Sequence, residues 1–247
     1  MLRLLAVLAV WGPLVWSAPQ AHAAGKKPSP VAQKPGTTPG AASTKMRSAP
    51  PSRPRSASRA SRELGARIAT RASRLVGVTS LRKVDTSVPD DCTGVVRLAY
   101  ESVGIELMTG IGRAGDNGVT HIYQRARSVG ALHKSRPQPG DLVFFRETYD
   151  RDRDGRRDDG LTHVAVVERV EADGTVTFVH RGSKGVARSR MNLSAPKVHR
   201  ARGSNAVVND YLRQASQGRR AYLTGELFAG FASPGPLAQA NTASARR

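Results

Sequence analysis

The spacing of apolar residues changes at Pro139-Gly140, and this change constrains the fold more than any other feature of the chain. Upstream of it, apolar residues recur at the spacing of amphipathic helices. Downstream, short apolar runs bounded by turn residues indicate strands, and Asp173-Gly174 between two of them predicts a tight hairpin. The predicted helices cover 61–77, 92–104 and 119–129, and the predicted strands cover 141–145, 163–168 and 175–180. Helices followed by an antiparallel meander predict an α+β domain.

The C-terminal part of the chain carries weaker patterns. Residues 205–215 have helical spacing, and 227–231 are apolar enough for a short closing strand. Beyond them the sequence becomes polar and rich in alanine. We therefore expect one folded domain over residues 59–232 and a disordered tail over 233–247.

The N-terminus has the features of a secretory signal peptide. A positive start at Met1–Arg3 precedes an apolar run over Leu4–Trp16, and Ala21–Ala23 fits the small-residue cleavage rule. The run is shorter than the roughly 20 apolar residues that a membrane-spanning helix needs. The sequence thus predicts a signal peptide over 1–23, no membrane span after cleavage, and an exported protein of the periplasm, the cell envelope or the medium.

Residues 24–58 form a low-complexity basic segment. They are rich in Pro, Ser, Ala, Lys and Arg and contain no acidic residue. Such a segment cannot bury enough apolar surface to offset its conformational entropy, so we expect a disordered linker. Its charge contributes to the formal net charge of +20. The linker either keeps the domain soluble or binds anionic envelope polymers, whereas nucleic acid is a poor partner for an exported chain.

The chain contains a single cysteine, Cys92, so no intramolecular disulfide can form. A lone cysteine is a buried small hydrophobe, an intermolecular link or a reactive thiol. Here it opens a predicted helix, directly after Asp90 and Asp91. Free N–H groups and the positive end of the helix dipole favour a thiolate at that position and can stabilise an oxyanion. The position favours the reactive interpretation.

A thiol nucleophile needs a base that titrates near neutral pH, which indicates histidine. His163 opens one predicted strand and His180 ends the next. The Asp173-Gly174 hairpin brings these two ends together, so that one ring can act as base while the other orients it. The alternative is that both are half-buried strand residues without a catalytic role.

Four sequence blocks resemble the NlpC family of papain-like cell-wall cysteine peptidases. They are Asp91–Val96, Gln138–Phe145, Thr162–Val167 and Phe178–His180. The resemblance implies a papain-like core with N-terminal helices packed on an antiparallel sheet.

The resemblance also implies roles for individual residues. Cys92 would be the nucleophile, His163 the general base and His180 the group that orients it. Asp91 matches a position that helps to bind the amino end of the substrate in some members. Thr93 replaces the usual Ser and is also assigned to substrate binding. The chain departs from the family in residues 77–85, which lack the Tyr or Trp and the Gly-Gly pair that usually precede the nucleophile.

An acidic insertion precedes His163. Asp150, Asp152, Asp154 and Asp158 alternate around Gly155 as the ligands of a calcium loop do. The position of the final bidentate Glu holds Leu161 instead, and Asp159 is the nearest substitute. Structural calcium and an exposed polar insertion both remain open, while structural zinc has no cysteine set to support it.

Together these features predict an exported, monomeric cysteine peptidase that hydrolyses peptidoglycan stem peptides. The resemblance implies cleavage typically between D-glutamate and a diamino acid, through an acyl-enzyme on Cys92 and without a required cofactor. Two alternatives stay open: a thiol amidase or acyltransferase of the same fold, and a non-catalytic domain that binds the cell wall.

Overall fold

The computed structural model describes residues 59–109, 115–216 and 218–244. The predicted signal peptide (1–23) and linker (24–58) lie outside these ranges. The helices are α1 (Arg59–Ser73), α2 (Cys92–Glu101), α3 (Gly118–Ser128), α4 (Thr224–Leu227) and α5 (Pro234–Ser244), with a 3₁₀ turn at Leu81–Lys83. The strands are β1 (Leu132–His133), β2 (Leu142–Arg146), β3 (Leu161–Val170), β4 (Val176–Gly182), β5 (Gly185–Met191), β6 (Tyr211–Arg213), β7 (Tyr222–Leu223) and β8 (Phe228–Ala232).

Six of these strands form one antiparallel sheet in the order β1-β8-β2-β3-β4-β5. Strands β6 and β7 pair separately. The strands β2 to β4 form the predicted meander, and β5 adds a strand that was not predicted. The helices α1, α2 and α3 precede these strands in the chain and contact β3. The predicted α+β class, with N-terminal helices packed on an antiparallel sheet, is confirmed.

The central strands carry continuous apolar runs, at 142–145 in β2 and 164–167 in β3, because both faces of the sheet are buried there. Leu142 and Phe144 of β2 pack with the three N-terminal helices, and Val143 and Phe145 of the same strand pack in a second cluster on the opposite face. The second face is covered by the segment that carries α4, β6 and β7, including the fully buried Leu227. A strand buried on both faces has no polar alternation, which explains the continuous run in the sequence.

The turn at Pro139-Gly140 is held tightly against α1. A Cβ on Gly65 would lie 2.2 Å from Pro139 O, so the helix backbone contacts the turn directly. Gly140 has a φ of +88°, which favours glycine. The Tyr100 hydroxyl donates to Gly140 O at 2.7 Å. The point at which the sequence changes its period is therefore also the point at which the helical layer is joined to β2.

Two C-terminal segments differ from expectation. The helix predicted over 205–215 is absent, and this stretch forms a loop and β6. The buried Asn209 organises the loop by donating to Ala195 O at 2.9 Å and Val198 O at 2.7 Å. Side-chain amides that bind nearby backbone groups compete with helix formation.

The second difference concerns the tail. Residues 233–247 were expected to be disordered, yet α5 covers Pro234–Ser244. Its Leu237 is fully buried, and Asn241 Nδ2 donates to Gly104 O at 3.0 Å. One apolar contact thus gives a helix-prone, alanine-rich segment a docking place on the domain. None of the described helices is long and apolar enough to cross a lipid bilayer.

Candidate active site

Cys92 is the first residue of α2, and Asp91 caps the helix. Asp91 Oδ1 accepts from the N–H groups of Thr93 at 2.8 Å and Gly94 at 3.2 Å. The loop before the helix passes so close that a Cβ on Gly94 would lie 2.0 Å from Pro89 O. Asp91 and Gly94 therefore have structural reasons to flank Cys92, because they start the helix that carries the thiol.

His163 on β3 and His180 on β4 meet on neighbouring strands. His163 Nε2 lies 3.0 Å from His180 Nδ1, and the ring centroids are 5.1 Å apart. The hairpin thus brings together the two histidines that the sequence singles out. His163 keeps partial exposure, whereas His180 is buried.

Ser189 extends this pair onto a third strand. His180 Nε2 lies 3.1 Å from Ser189 Oγ, so the hydrogen-bonded line His163–His180–Ser189 crosses β3, β4 and β5. Sequence reasoning missed Ser189. The tight turn over 182–185 could have revealed it, because the turn sets the register of β4 and β5. In that register Phe178 pairs with Ser189, so the serine lies diagonally beside His180.

Cys92 and His163 line the same open pocket, whose volume is about 400 Å³. Its lining comprises Asp91, Cys92, Thr93, Asn117, Gly118, Val119, Tyr149, Thr162, His163, Arg181, Gly182 and Ser183. No hydrogen bond joins the Cys92 thiol to the His163 ring in the described part of the chain. Because His163 Nε2 is engaged by His180, Nδ1 is the ring nitrogen left for the thiol. Such contacts commonly tighten only when substrate binds.

The two predicted substrate residues both line this pocket, but their hydrogen bonds differ. Thr93 is only 6% exposed, and its hydroxyl donates to Asp91 Oδ1 at 2.6 Å. The Asp91 side chain is exposed, and its capping bonds use Oδ1 alone. Asp91 therefore keeps a free oxygen for a ligand, whereas the Thr93 hydroxyl proton is already committed.

Three further pocket residues were not anticipated. Asn117 caps α3 and donates from Nδ2 to Leu161 O at 3.0 Å, which ties that helix to the start of β3. Tyr149 forms an exposed wall of the pocket. The Arg181 Nε donates to Asp90 Oδ1 at 3.1 Å, and this bond holds the pKa of Asp90 well below its usual range, with help from the Leu81 N–H.

The electrostatics describe a neutral resting pair. Burial raises the pKa of the Cys92 thiol to about 12, although the Val164 N–H opposes the increase, and the Asp91 carboxylate raises it further. The N–H groups at the start of α2 lower the pKa of the thiol, as expected from the sequence, but burial outweighs them. Burial and His180 hold the pKa of His163 well below 6.5.

His180 is neutral for the same reason, since burial lowers its pKa to about 4. At neutral pH both imidazoles are uncharged. A neutral His163 can accept a proton, which is what a general base requires.

The acidic insertion is arranged differently from the predicted ligand set. Asp150, Asp152 and Asp159 form one cluster, in which one carboxylate oxygen of each residue lies within 4.8 Å of the others. Asp158 instead pairs with Arg156 at 2.7 Å, and Asp154 Oδ2 also faces Arg156, at 3.4 Å. The structure therefore places Asp159 in the cluster where Asp154 and Asp158 were expected.

Comparison with known proteins gives one family match. The CHAP domain, a family of cysteine/histidine-dependent amidohydrolases and peptidases, matches residues 83–182. This range contains Cys92, His163 and His180. The match supports the coarser prediction of a cysteine- and histidine-dependent hydrolase. It does not support the NlpC family specifically, so that assignment stays a prediction.

The chain is also similar to a crystal structure of an N-acetylmuramoyl-L-alanine amidase from Staphylococcus aureus. The identity is 23% with a TM-score of 0.29, over 42% of this chain and 28% of that protein. The likeness thus spans little more than a quarter of the amidase, and a TM-score this low is no argument for a shared activity. No curated protein matches the chain.

Proposed function

We propose that this domain is a CHAP-type cysteine hydrolase that cuts an amide bond of peptidoglycan. The observation that carries the proposal is the pocket that both Cys92 and His163 line, in which His163 Nε2 is hydrogen-bonded to His180. The CHAP match over residues 83–182 supports the same reaction class. The predicted signal peptide would bring the enzyme to a cell-wall substrate.

The resting thiol is protonated, so attack and proton transfer occur together. As Cys92 Sγ bonds to the amide carbon, His163 Nδ1 takes the thiol proton and the carbonyl π pair moves to oxygen. The resulting oxyanion lies beside the Cys92 N–H, which can stabilise it, because the Asp91 cap accepts only from the N–H groups of Thr93 and Gly94. The imidazolium then gives its proton to the leaving amine, and the C–N bond breaks to leave a thioester on Cys92.

Water resolves the thioester by the reverse sequence. His163 removes a proton from the water as its oxygen bonds to the acyl carbon. Collapse of this second intermediate breaks the C–S bond and returns the proton to sulfur. The cycle restores a neutral thiol and a neutral imidazole and needs no cofactor.

His180 and Ser189 are placed so that they are compatible with the tautomer that this cycle requires. When Nδ1 of His163 is the proton acceptor, its Nε2 carries hydrogen and donates to His180 Nδ1. His180 must then carry its proton on Nε2, and Ser189 Oγ lies 3.1 Å away to accept it. The line of three residues can thus accommodate the tautomer in which His163 Nδ1 accepts the thiol proton.

The pocket charges fit a substrate with a free amine. Asp91 is exposed beside the thiol with its second carboxylate oxygen unused by the cap. A stem-peptide amino group would pair with this oxygen. The NlpC resemblance favours cleavage between D-glutamate and a diamino acid, and the alternative within the same chemistry is an amidase cut between the glycan and L-alanine.

Digestion of purified peptidoglycan by the protein and by Cys92→Ala tests the proposal, with products identified by mass spectrometry. Because Cys92 is the only cysteine, this variant removes every thiol from the chain. His199→Asn is a matched control, since His199 lies outside the pocket and bonds Asn209 O at 2.7 Å.

The proposal predicts new fragments from the wild-type protein and the control, and none from Cys92→Ala. The fragment masses distinguish an endopeptidase from an amidase. Transfer to an added amine, in place of water, would identify an acyltransferase. Absence of fragments with any wall type would leave a wall-binding domain as the interpretation.

A further inference from the structure

The acidic insertion between β2 and β3 has features that the proposed reaction does not use. We propose that Asp150, Asp152 and Asp159 bind a calcium ion, and that this ion orders the loop wall of the Cys92 pocket. The site differs from the ligand set predicted from sequence, because Asp159 takes part and Asp158 does not.

The three carboxylates are close enough to share one ion. One oxygen from each lies within 4.8 Å of the other two. Calcium binds oxygen ligands at about 2.3–2.6 Å, so two ligands on opposite sides of an ion lie roughly 5 Å apart. The oxygens are therefore spaced as the ligands of one calcium ion would be.

Two carboxylate oxygens supply an independent sign of a missing ligand. Asp150 Oδ1 and Asp159 Oδ2 are buried and have no hydrogen-bond partner in the described part of the chain. The Asp159 side chain is only 1% exposed. Burying an unpaired carboxylate oxygen is costly, so such an atom calls for an ion or a water. A cation between the three carboxylates satisfies both oxygens at once.

The remaining oxygens of the same carboxylates are already fixed. Asp150 Oδ2 accepts from the Gly155 N–H at 2.9 Å, and Asp159 Oδ1 accepts from the Arg151 N–H at 3.1 Å. Each of these two carboxylates thus holds the loop with one oxygen and leaves the other unpaired. The unpaired atoms are the ones that an ion would bind.

The loop arginines do not replace a metal ion. Arg151 Nε lies 3.9 Å from Asp159 Oδ1, the oxygen that is already hydrogen-bonded. Arg156 pairs with Asp158, and Arg157 lies 4.0 Å above the centre of the Tyr222 ring. Arg156 and Arg157 are thus engaged elsewhere, and Arg151 faces only the Asp159 oxygen that the loop backbone already binds, so the unpaired oxygens of Asp150 and Asp159 remain available.

The chemistry of the cluster selects calcium. All three ligands are carboxylates, and hard oxygen donors favour calcium or magnesium over zinc. The ligands belong to one irregular loop, which can also supply backbone carbonyls and water. Calcium accepts such variable geometry, whereas magnesium requires a near-ideal octahedron.

The site is joined to the pocket through both ends of the loop. Tyr149, a wall of the pocket, directly precedes Asp150. At the other end Glu147 accepts from the N–H groups of Asp159 at 3.2 Å and Gly160 at 2.8 Å, just before β3 leads to His163. An ion that draws Asp150 and Asp159 together would therefore fix the position of Tyr149 relative to β3.

Calorimetric titration of the EDTA-treated protein with calcium chloride tests the site, together with thermal unfolding with and without calcium. Asp159→Asn removes one ligand charge at nearly constant shape. Asp158→Asn is the matched control, because the Asp158 side chain pairs with Arg156 and is not a member of the cluster. We expect one calcium ion per chain, a higher Tm with calcium, roughly tenfold or greater loss of affinity in Asp159→Asn, and no loss in Asp158→Asn.

Asp150→Asn provides a second ligand variant should Asp159→Asn fail to fold. All binding measurements are repeated in Cys92→Ala, where the site should be intact, so that failure of the calcium proposal is separate from failure of the hydrolase proposal. Magnesium chloride at equal ionic strength is the reference. If calcium gives no binding heat and no higher Tm than magnesium does, the proposal is overturned. If Asp158→Asn and Asp159→Asn lose the same amount of calcium affinity, the assigned ligand set is overturned.

Discussion

The Cys92 thiol is subject to two opposed effects. The N–H groups at the start of α2 favour the thiolate, while burial and the Asp91 carboxylate favour the thiol. Burial dominates, and the pKa of the thiol rises to about 12. Since burial also lowers the pKa of His163, the free enzyme holds a thiol and a neutral imidazole rather than an ion pair.

This state predicts the pH profile of kcat/KM. The active form needs neutral His163, so the rate should rise with pH along an acid limb that lies below pH 6.5, the ordinary pKa of histidine. No decline is expected near pH 8–9, because the thiol keeps its proton there. Hydrolysis rates measured from pH 4 to 10 test both the acid limb and the absence of a decline near pH 8–9.

Alkylation of Cys92 by iodoacetamide gives an independent check. We expect slow alkylation at pH 7 that accelerates as pH rises, since only the thiolate reacts. Fast alkylation that is constant between pH 5 and 8 would show a preformed thiolate–imidazolium pair and contradict the neutral resting state.

Ser189 is expected to act as a positioning residue through His180. Ser189→Ala removes the acceptor for His180 Nε2, and loss of one such hydrogen bond corresponds to a roughly 2- to 10-fold lower kcat. Because the change alters the support of the base, the acid limb of the pH profile should move as well. Ser189→Thr keeps the hydroxyl and should restore both. An unchanged acid limb in Ser189→Ala would assign Ser189 a purely structural role.

At the scale of elements, the start of α2 combines structural and chemical roles. Asp91 caps the helix through Oδ1 and presents its other oxygen to the pocket. Asp91→Ala should lower the free energy of unfolding by about 1 kcal/mol, because the first N–H groups lose their acceptor. Asn is an equally good cap, so Asp91→Asn should keep most of the stability. Urea unfolding of the two variants measures this difference.

The same pair of variants separates capping from substrate binding. If Asp91 binds a substrate amine, Asp91→Asn should raise KM for stem-peptide substrates although the protein stays stable. If Asp91→Asn has the KM of the wild type, Asp91 acts only as the helix cap and does not bind the substrate amine.

The packing of α5 shows why element prediction fails at the end of the chain. Its sequence is alanine-rich and lacks a strong apolar stripe, so pattern alone gave no reason to expect a docked helix. The contacts of Leu237 and Asn241 depend on where α1 and the Gly104 turn lie in space. Such long-range contacts leave no local periodicity to detect.

At the scale of the whole molecule, the buried histidines couple stability to pH. Burial holds the pKa of His180 at about 4, against about 6.5 in the unfolded chain. Above pH 6.5 both states are neutral, and below it the unfolded state binds protons that the folded state does not. Folded stability should therefore fall as pH decreases from 6.5 towards 4, with His180 alone contributing about 2 kcal/mol between pH 7 and pH 5.

Urea unfolding at pH 7 and pH 5 checks this expectation. His180→Asn removes the titrating ring, so the stability loss between these pH values should shrink. His199→Asn should lose as much stability as the wild-type protein. Equal losses in all three proteins would show that His180 is not the source of the pH dependence.

The sequence predicts the parts of the site that local patterns determine. Cys92 follows from its place at a helix start, and His163 and His180 follow from one hairpin. Ser189 was missed because its position depends on strand register, and Asp159 was named only as a substitute ligand because its place in the cluster depends on the course of an irregular loop. The neutral state of the thiol was also missed, because it results from burial among residues of α2 and β3 that are distant in sequence.

The most direct test of the account is the rate at which the protein clears a suspension of purified peptidoglycan, compared with Cys92→Ala and His163→Ala. The account predicts that either substitution slows clearance by at least about a thousandfold, because the thiol and its base act as a unit. Clearance by either variant at the wild-type rate would contradict the assignment of Cys92 and His163 as nucleophile and base.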